Sequence, residues 1–286
     1  NGLVPWPQLL IRISDFFKKS RAELTENAES IQKNLIASCA TSDAEGHFKM
    51  SNLSLAALGI CGNHDNQYGG FGTAPKFPQA MALNFLSSMR SHAHGSTGLT
   101  KNIDAILDLT FKAMAHGGLY DQIGGGFSRY SVDAHWLIPH FEKMLYDNSQ
   151  FILLLSKYCK INPENYFKEK LQQTIEFLKK NFLNDEGFFG SAYDADSEGE
   201  EGKYYIYSYD EIKNFESIGK YFEIKPEGNW ENKIILVEKE KPTQEILNKL
   251  FDIRLKRKKP FFDDKTQLDL NCLMISALIA ANEILP

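Results

Sequence analysis

Tyr68-Gly-Gly-Phe-Gly-Thr-Ala-Pro-Lys-Phe-Pro78 returns twice more along the chain in altered form. The second copy is Gly117-Gly-Leu-Tyr-Asp-Gln-Ile-Gly-Gly-Gly-Phe-Ser-Arg-Tyr130 and the third is Glu186-Gly-Phe-Phe-Gly-Ser-Ala-Tyr-Asp-Ala-Asp196. Phe71, Phe127 and Phe188 mark the copies, about 60 residues apart, a period that fits one Gly-rich loop plus two helices. Such units bury their apolar faces against one another. A closed α/α toroid, whose loops gather at one mouth, is the fold this predicts; an ordinary α+β domain with Gly-rich turns is the alternative.

The flanking segments supply the helices. Leu9, Leu10, Ile13, Phe16, Phe17, Ile31 and Leu35 fall at helical spacing, so Trp6 to Leu35 reads as one long helix or two in succession. Helices are also expected over 53–62, 80–89, 103–115, 151–158, 167–182, 243–255 and 268–284, with 40–52 and 91–98 as loops. Strand-like alternation appears in Lys203-Tyr-Tyr-Ile-Tyr-Ser208 and Lys233-Ile-Ile-Leu-Val237. The expected class is therefore mainly α with small β-hairpins.

Composition narrows the function classes. The 286 residues carry 32 basic and 37 acidic side chains, a net charge of -5. That balance argues against nucleic acid as a partner. No apolar run approaches the roughly 20 residues of a membrane span, and the first residues lack the basic and apolar regions of a signal peptide. The four cysteines contain no C-x-x-C pair, so neither a zinc ribbon nor a dithiol redox site is readable. A cytoplasmic location with no metal and no cofactor is the expectation.

The densest polar segment is Trp136-Leu-Ile-Pro-His-Phe-Glu-Lys-Met-Leu-Tyr-Asp-Asn148. Pro139 suits the first turn of a helix, and the apolar run 151–155 carries that helix into the core. On this reading His140, Lys143 and Asp147 share one stripe, and Glu142 and Tyr146 share another. Buried carboxylates and histidines need partners or shift their pKa values. They form either a buried ion-pair network that seats the helix, with Arg129, or the polar wall of a wet pocket.

The acidic loop Asp194-Ala-Asp-Ser-Glu-Gly-Glu-Glu-Gly202 resembles the start of an EF-hand, but Tyr205 stands where the bidentate glutamate belongs. A looser Ca²⁺ loop is a minor alternative. Asp194 and Asp196 are better read as turn caps or as acceptors and acid/base groups for a polyol, with Glu200 and Glu201 solvated. Tyr68, Phe71, Tyr120, Phe127, Tyr130, Trp136, Tyr193 and Tyr204 surround these loops and suit either sugar stacking or plain packing. Gly124-Gly-Gly126 follows no hydrophobic strand and is no dinucleotide loop. The basic run Arg254 to Lys259 reads as a solvated helix end. His47, His64, His92 and His94 lack metal-ligand spacing.

Taken together, Tyr68–Pro78, Gly125-Gly-Phe-x-Arg-Tyr-x-Val-Asp133, the run ending at Asn148 and Asp194-Ala-Asp-Ser-Glu198 resemble the YyaL proteins, the family of the spermatogenesis-associated thioredoxin-like protein. Glu227-Gly-Asn229 and Arg254-x-x-Arg-x-x-Pro-x-x-Asp-Asp-Lys265 look like that family's later motifs. The resemblance implies an (α/α)6 toroid, similar to six-hairpin glycosidases and sugar epimerases, preceded by a thioredoxin-like domain. Residues 1–38 would then be a linker helix following that missing domain, and 39–286 a partial toroid, since six hairpins need about 350 residues. Leu268-Asp-Leu-Asn-Cys-Leu-Met274 departs from the family's Thr-Ser-Trp-Asn-Gly-Leu-Met, placing Leu270 at the Trp and Cys272 at the Gly.

The functional expectation is a carbohydrate-active domain, epimerase- or glycosidase-like, whose partner is a small carbohydrate. The rival is a non-catalytic scaffold of a thioredoxin-like protein. Candidate catalytic residues are His140, Glu142, Asp147, Asp194, Asp196 and Arg129, with Glu142 or Asp194 as acid/base, His140 as proton shuttle and Arg129 as orienter. Candidate substrate contacts are Tyr68, Phe71, Lys76, Tyr130, Trp136, Tyr146 and Asn148.

Overall fold

A computed structural model describes residues 4–39, 49–92 and 97–285. The chain divides into two units, Asn1–Lys49 and Met50–Pro286. The first contains α1 (Trp6–Lys19) and α2 (Arg21–Cys39), separated at Ser20. Trp6, Leu10, Ile13 and Phe17 form an exposed apolar stripe on α1. Of the residues singled out above, His47 and His94 lie outside the described residues.

The second unit is built from three copies of one motif. α3 (Met50–Gly62) leads through the first Gly-rich loop to α4 (Ala80–His92). α5 (Thr97–His116) leads through the second to α6 (Leu145–Ile161), and α7 (Asn165–Asn181) through the third to α11 (Leu268–Asn282). α4, α6 and α11 pack in that order, α6 in the middle, and α3 packs on α5. α6 is buried along most of its length, as the apolar run 151–155 predicts. The result is mainly helical and toroid-like, with three helical hairpins among the described residues.

Each loop is the same small hairpin. Single antiparallel bridges join His64 to Phe71, Tyr120 to Phe127 and Leu183 to Phe189. The third copy thus pairs through Phe189, one residue past the expected Phe188. The turn is set by a side chain: Asp65 Oδ1 accepts from the N–H groups of Gln67 and Tyr68, Asp121 Oδ1 from those of Ile123 and Gly124, and Asn184 Oδ1 from those of Glu186 and Phe188. Such Asx turns fix a backbone reversal without help from tertiary contacts. Glycine is required where the hairpin meets the next unit. A Cβ at Gly69, whose φ is +72°, would lie 2.8 Å from the Thr110 backbone on α5, and one at Gly125, with φ +78°, would lie 2.8 Å from the Gln173 carbonyl oxygen on α7.

The third copy of the motif carries an insertion, residues 190–267. It contains α8 (Tyr209–Ile212), α9 (Ile218–Tyr221) and α10 (Gln244–Arg254), and buries its own cluster of Tyr207, Ile212, Phe222, Ile234, Ile246 and Leu250. There are three small antiparallel sheets: β1 (Tyr130–Ser131) with β2 (Pro139–His140); β3 (Lys143–Met144) with β4 (Ala192–Tyr193) and β7 (Phe262–Asp263), which ties the insertion to the start of α6; and β5 (Asp196–Ser197) with β6 (Glu200–Glu201), inside the insertion.

Several expectations change here. α3 begins at Met50, not Leu53. The helix expected from Pro139 begins at Leu145, because residues 139–144 are drawn into β2 and β3; the proposed stripe of His140, Lys143 and Asp147 therefore does not exist. The 203–208 segment is turn rather than strand, with a single bridge from Tyr207 to Ile234. The cause is Arg257, whose guanidinium takes the carbonyls of Lys203, Tyr204 and Ile206 that a neighbouring strand would otherwise bond. The basic run is not simply solvated: Arg254 is 3% exposed, and Arg257 pairs with Glu211.

Candidate active site

The register of β1 on β2 sets Tyr130 opposite His140, and the Arg129 N–H donates to the Glu142 carbonyl at 3.0 Å. Side chains two residues apart on a strand share a face, so this pairing brings Arg129, His140 and Glu142 together. Arg129 Nη1 donates to Glu142 Oε2 at 3.0 Å, and His140 Nε2 lies 3.4 Å from the same oxygen. His140 Nδ1 is 2.8 Å from Glu201 Oε1, which β6 delivers across the insertion. A protonated His140 ring donates to both carboxylates. Tyr130 stacks between His140, at 4.8 Å, and Phe77, at 4.6 Å. The His140 and Glu142 side chains are 27% and 26% exposed, so solvent-borne molecules reach them.

Asp147 and Tyr146 follow in the first turn of α6. Burial pushes the Asp147 carboxyl up to about 7; Arg129 opposes the shift and the charge of Glu142 adds to it. Its Oδ2 is buried without a hydrogen-bond partner among the described residues. Burial also raises the Tyr146 phenol, against the pull of Arg129. The two carboxyl groups of the cluster sit in different surroundings: Glu142 accepts from Arg129 at its half-buried edge, while burial raises Asp147. A carboxyl raised to about 7 is placed to act as an acid near neutral pH.

The remaining candidates fall elsewhere. The Asp194 N–H donates to Phe261 O, and its Oδ1 accepts from the Asp196 N–H at 3.3 Å, so the two acids shape the turn into β5. Neither bonds to Glu142 or His140 among the described residues. Trp136 is fully buried and donates through Nε1 to Tyr68 O at 2.9 Å. Lys76, also fully buried, donates to Asp65 Oδ2 at 2.5 Å and to Ala134 O at 3.1 Å. Both brace the first hairpin and are withdrawn from any ligand. Asn148 is likewise consumed: it accepts from Phe127 N and donates to Phe127 O and Met144 O. Phe71 packs edge-on against His64. Of the expected substrate contacts, Tyr130 and Tyr146 stand at the cluster.

Three residues are not among the candidates read from the sequence. Glu201 is one, expected to be solvated. The others, Asp121 and Arg254, meet Lys143 on the far side of β3. Lys143 Nζ donates to Asp121 Oδ2 at 2.7 Å and to Gly125 O at 2.8 Å, and Arg254 Nη1 donates to both Asp121 oxygens at 2.8 Å. All three side chains are at most 6% exposed. The two cations hold Asp121 far below the usual carboxylate range despite its burial, while burial lowers Lys143 to about 8. The trio lines a cavity of about 450 Å³ between α7 and α10. The available signal was the repeat itself, because Asp121 occupies in the second hairpin the place that Asp65 holds in the first.

No protein-family model matches the chain. Spermatogenesis-associated protein 20 of Rattus norvegicus is 34% identical over 215 residues, 72% of this chain and 27% of that protein; the Homo sapiens protein is 32% identical over the same shares. Uncharacterized protein B0495.5 of Caenorhabditis elegans is 29% identical over 98% of this chain and 45% of its own length. The chain belongs to the family of spermatogenesis-associated protein 20, and spans about a quarter of the mammalian relatives it matches. Among solved structures, cellobiose 2-epimerase from Spirochaeta thermophila is similar at 17% identity and a TM-score of 0.40, covering 50% of this chain and 40% of that one. A likeness that shallow assigns no chemistry. Among the described residues, no helix is long and apolar enough to cross a membrane.

Proposed function

We propose that the second unit binds a carbohydrate or similar polyol at the mouth formed by β1, β2 and the start of α6, and performs general acid–base chemistry on it. The observation that supports this most is the pairing of an Arg-held Glu142 with an Asp147 that retains its proton to about 7 within one half-exposed cluster. In this reading Asp147 donates a proton, Glu142 accepts one, His140 relays protons between Glu142 and Glu201, and Arg129 orients Glu142 and the substrate's oxygens. Tyr130 offers its ring edge, and Tyr146 its hydroxyl, to a sugar. The chemistry would be of the epimerase or glycosidase type, in a cytoplasmic compartment that suits four unpaired cysteines.

The test is turnover of a panel of mono- and disaccharides by the full chain. With a substrate in hand, Glu142→Gln and Asp147→Asn are each expected to lower kcat by at least about a hundredfold, and Asp194→Asn to leave it near the parent value. Unchanged turnover in the first two variants refutes the assignment.

A second reading has its own observation. Arg129, Glu142, His140 and Glu201 satisfy one another, as a structural clamp between the second hairpin and the insertion would. A scaffold of this kind predicts that His140→Ala lowers the melting temperature, with no sugar of the panel raising it in the parent chain.

A further inference from the structure

The three hairpins differ in how their turn residue is balanced. In the first, Asp65 pairs with one buried lysine, Lys76. In the third the turn residue is Asn184, which carries no charge and needs none. In the second, Asp121 faces two buried cations, Lys143 and Arg254. One positive charge is left over in a region almost closed to water. Burying an uncompensated charge is costly, and a protein that keeps one has a counter-charge nearby or a use for it.

The surroundings do not supply the counter-charge. Arg254 Nε is buried with no hydrogen-bond partner among the described residues. At the rim of the same cavity stand Lys180 and Lys259, both exposed and neither in an ion pair among the described residues. Lys180 lies over the Phe251 ring, and Lys259 reaches only the Asn181 amide oxygen, at 3.4 Å. Four cations thus line the cavity against two acids, Asp121 and Glu176. Tyr193 and Tyr204 give it flat walls, and its volume of about 450 Å³ accommodates a single ring with substituents.

We infer that this cavity is a binding site for a small organic oxyanion, a molecule of one ring bearing a phosphate or carboxylate group. The anionic group sits at the Arg254 end, where the surplus charge lies, and is drawn in by Lys180 and Lys259. The ring lies against the tyrosines. This site is separate from the Glu142 cluster, and the inference stands or falls without the acid–base reading.

Isothermal titration of the full chain tests it, with four probes: glucose 6-phosphate, glucuronate, inorganic phosphate and glucose. At least one of the two charged sugars is expected to bind saturably, and glucose is not; which of the two binds distinguishes phosphate from carboxylate. The double variant Lys180→Gln, Lys259→Gln removes two exposed side chains without ion pairs, and is expected to keep its melting temperature while Kd rises about tenfold. Absence of saturable binding by either charged sugar overturns the proposal. So does equal binding of glucose, binding of inorganic phosphate alone, or an unchanged Kd in the double variant.

Discussion

Asp147 shows what one buried carboxyl does to the whole chain. Its pKa is raised from 3.8 to about 7, chiefly by desolvation, so the folded state holds a proton that the unfolded state releases. The stability this contributes is fully present below about pH 4 and is lost as pH rises through about 7. Asp147→Asn keeps the shape and cannot ionise. Its melting temperature is expected to exceed the parent's at about pH 8, with the gap closing steadily toward about pH 4. A gap independent of pH would show that the carboxyl is not proton-bearing at neutrality. Arg129, His140 and Glu142 were legible as a group because they lie in adjacent motifs. Glu201 reaches His140 over 61 residues and Arg254 reaches Asp121 over 133. No local pattern encodes those meetings, and the basic 254–259 run looks the same whether its first arginine is solvated or buried.

Among the elements, the second and third hairpins are fastened to the helices after them by one device. Asn148, in the first turn of α6, accepts from Phe127 N at 2.8 Å and donates to Phe127 O at 3.0 Å. Asn271, at the same place in α11, does so to Phe189 at 2.9 and 3.0 Å. Each clasp satisfies backbone groups that have no strand partner beyond a single bridge. Asn148→Ala leaves buried groups of Phe127 unpaired and is expected to cost about 2–4 kcal/mol in urea unfolding; Asn271→Ala, at a half-buried site, should cost less. Helical periodicity located most of the long helices, because 3.6-residue spacing is a property of each segment alone. The start of α6 was misplaced because Pro139 fits a first helical turn and a short edge strand equally well, and only the partner strand decides. Alternation in 203–208 misled for a similar reason: the partner of those carbonyls is a side chain, Arg257.

On the scale of the molecule, the second unit is an array in which each hairpin leans on the next. α6 is covered by α4, α7 and α11, whereas α3 and α11 flank the described array. Leu55 and Leu58 on α3, and Leu268, Ile275 and Ile279 on α11, are among the exposed apolar side chains. Protection in such an array is highest at its centre. Amide hydrogen exchange is expected to be slowest in α6 and faster in α3 and α11; equal rates in all three would mean that the array opens only as a whole. The roughly 60-residue recurrence was visible in the sequence because glycine and phenylalanine recur with it. The inserted segment 190–267 hid its own purpose, since its small core has no counterpart in the other two units.

That insertion also sets an order of events. Ser149 on α6 touches Met274 on α11 at 3.5 Å, across 125 residues of chain. A ribosome releases α3 to α7 long before α11 exists, so the face of α6 that α11 will cover is bare while the insertion is being made. Closing so long a loop is slow compared with pairing neighbouring helices. The insertion has its own apolar cluster to condense around in that interval, which keeps it compact rather than leaving a long tether. α11 then has a short distance to travel, and the apolar face of α6 that it covers is closed off in one late step.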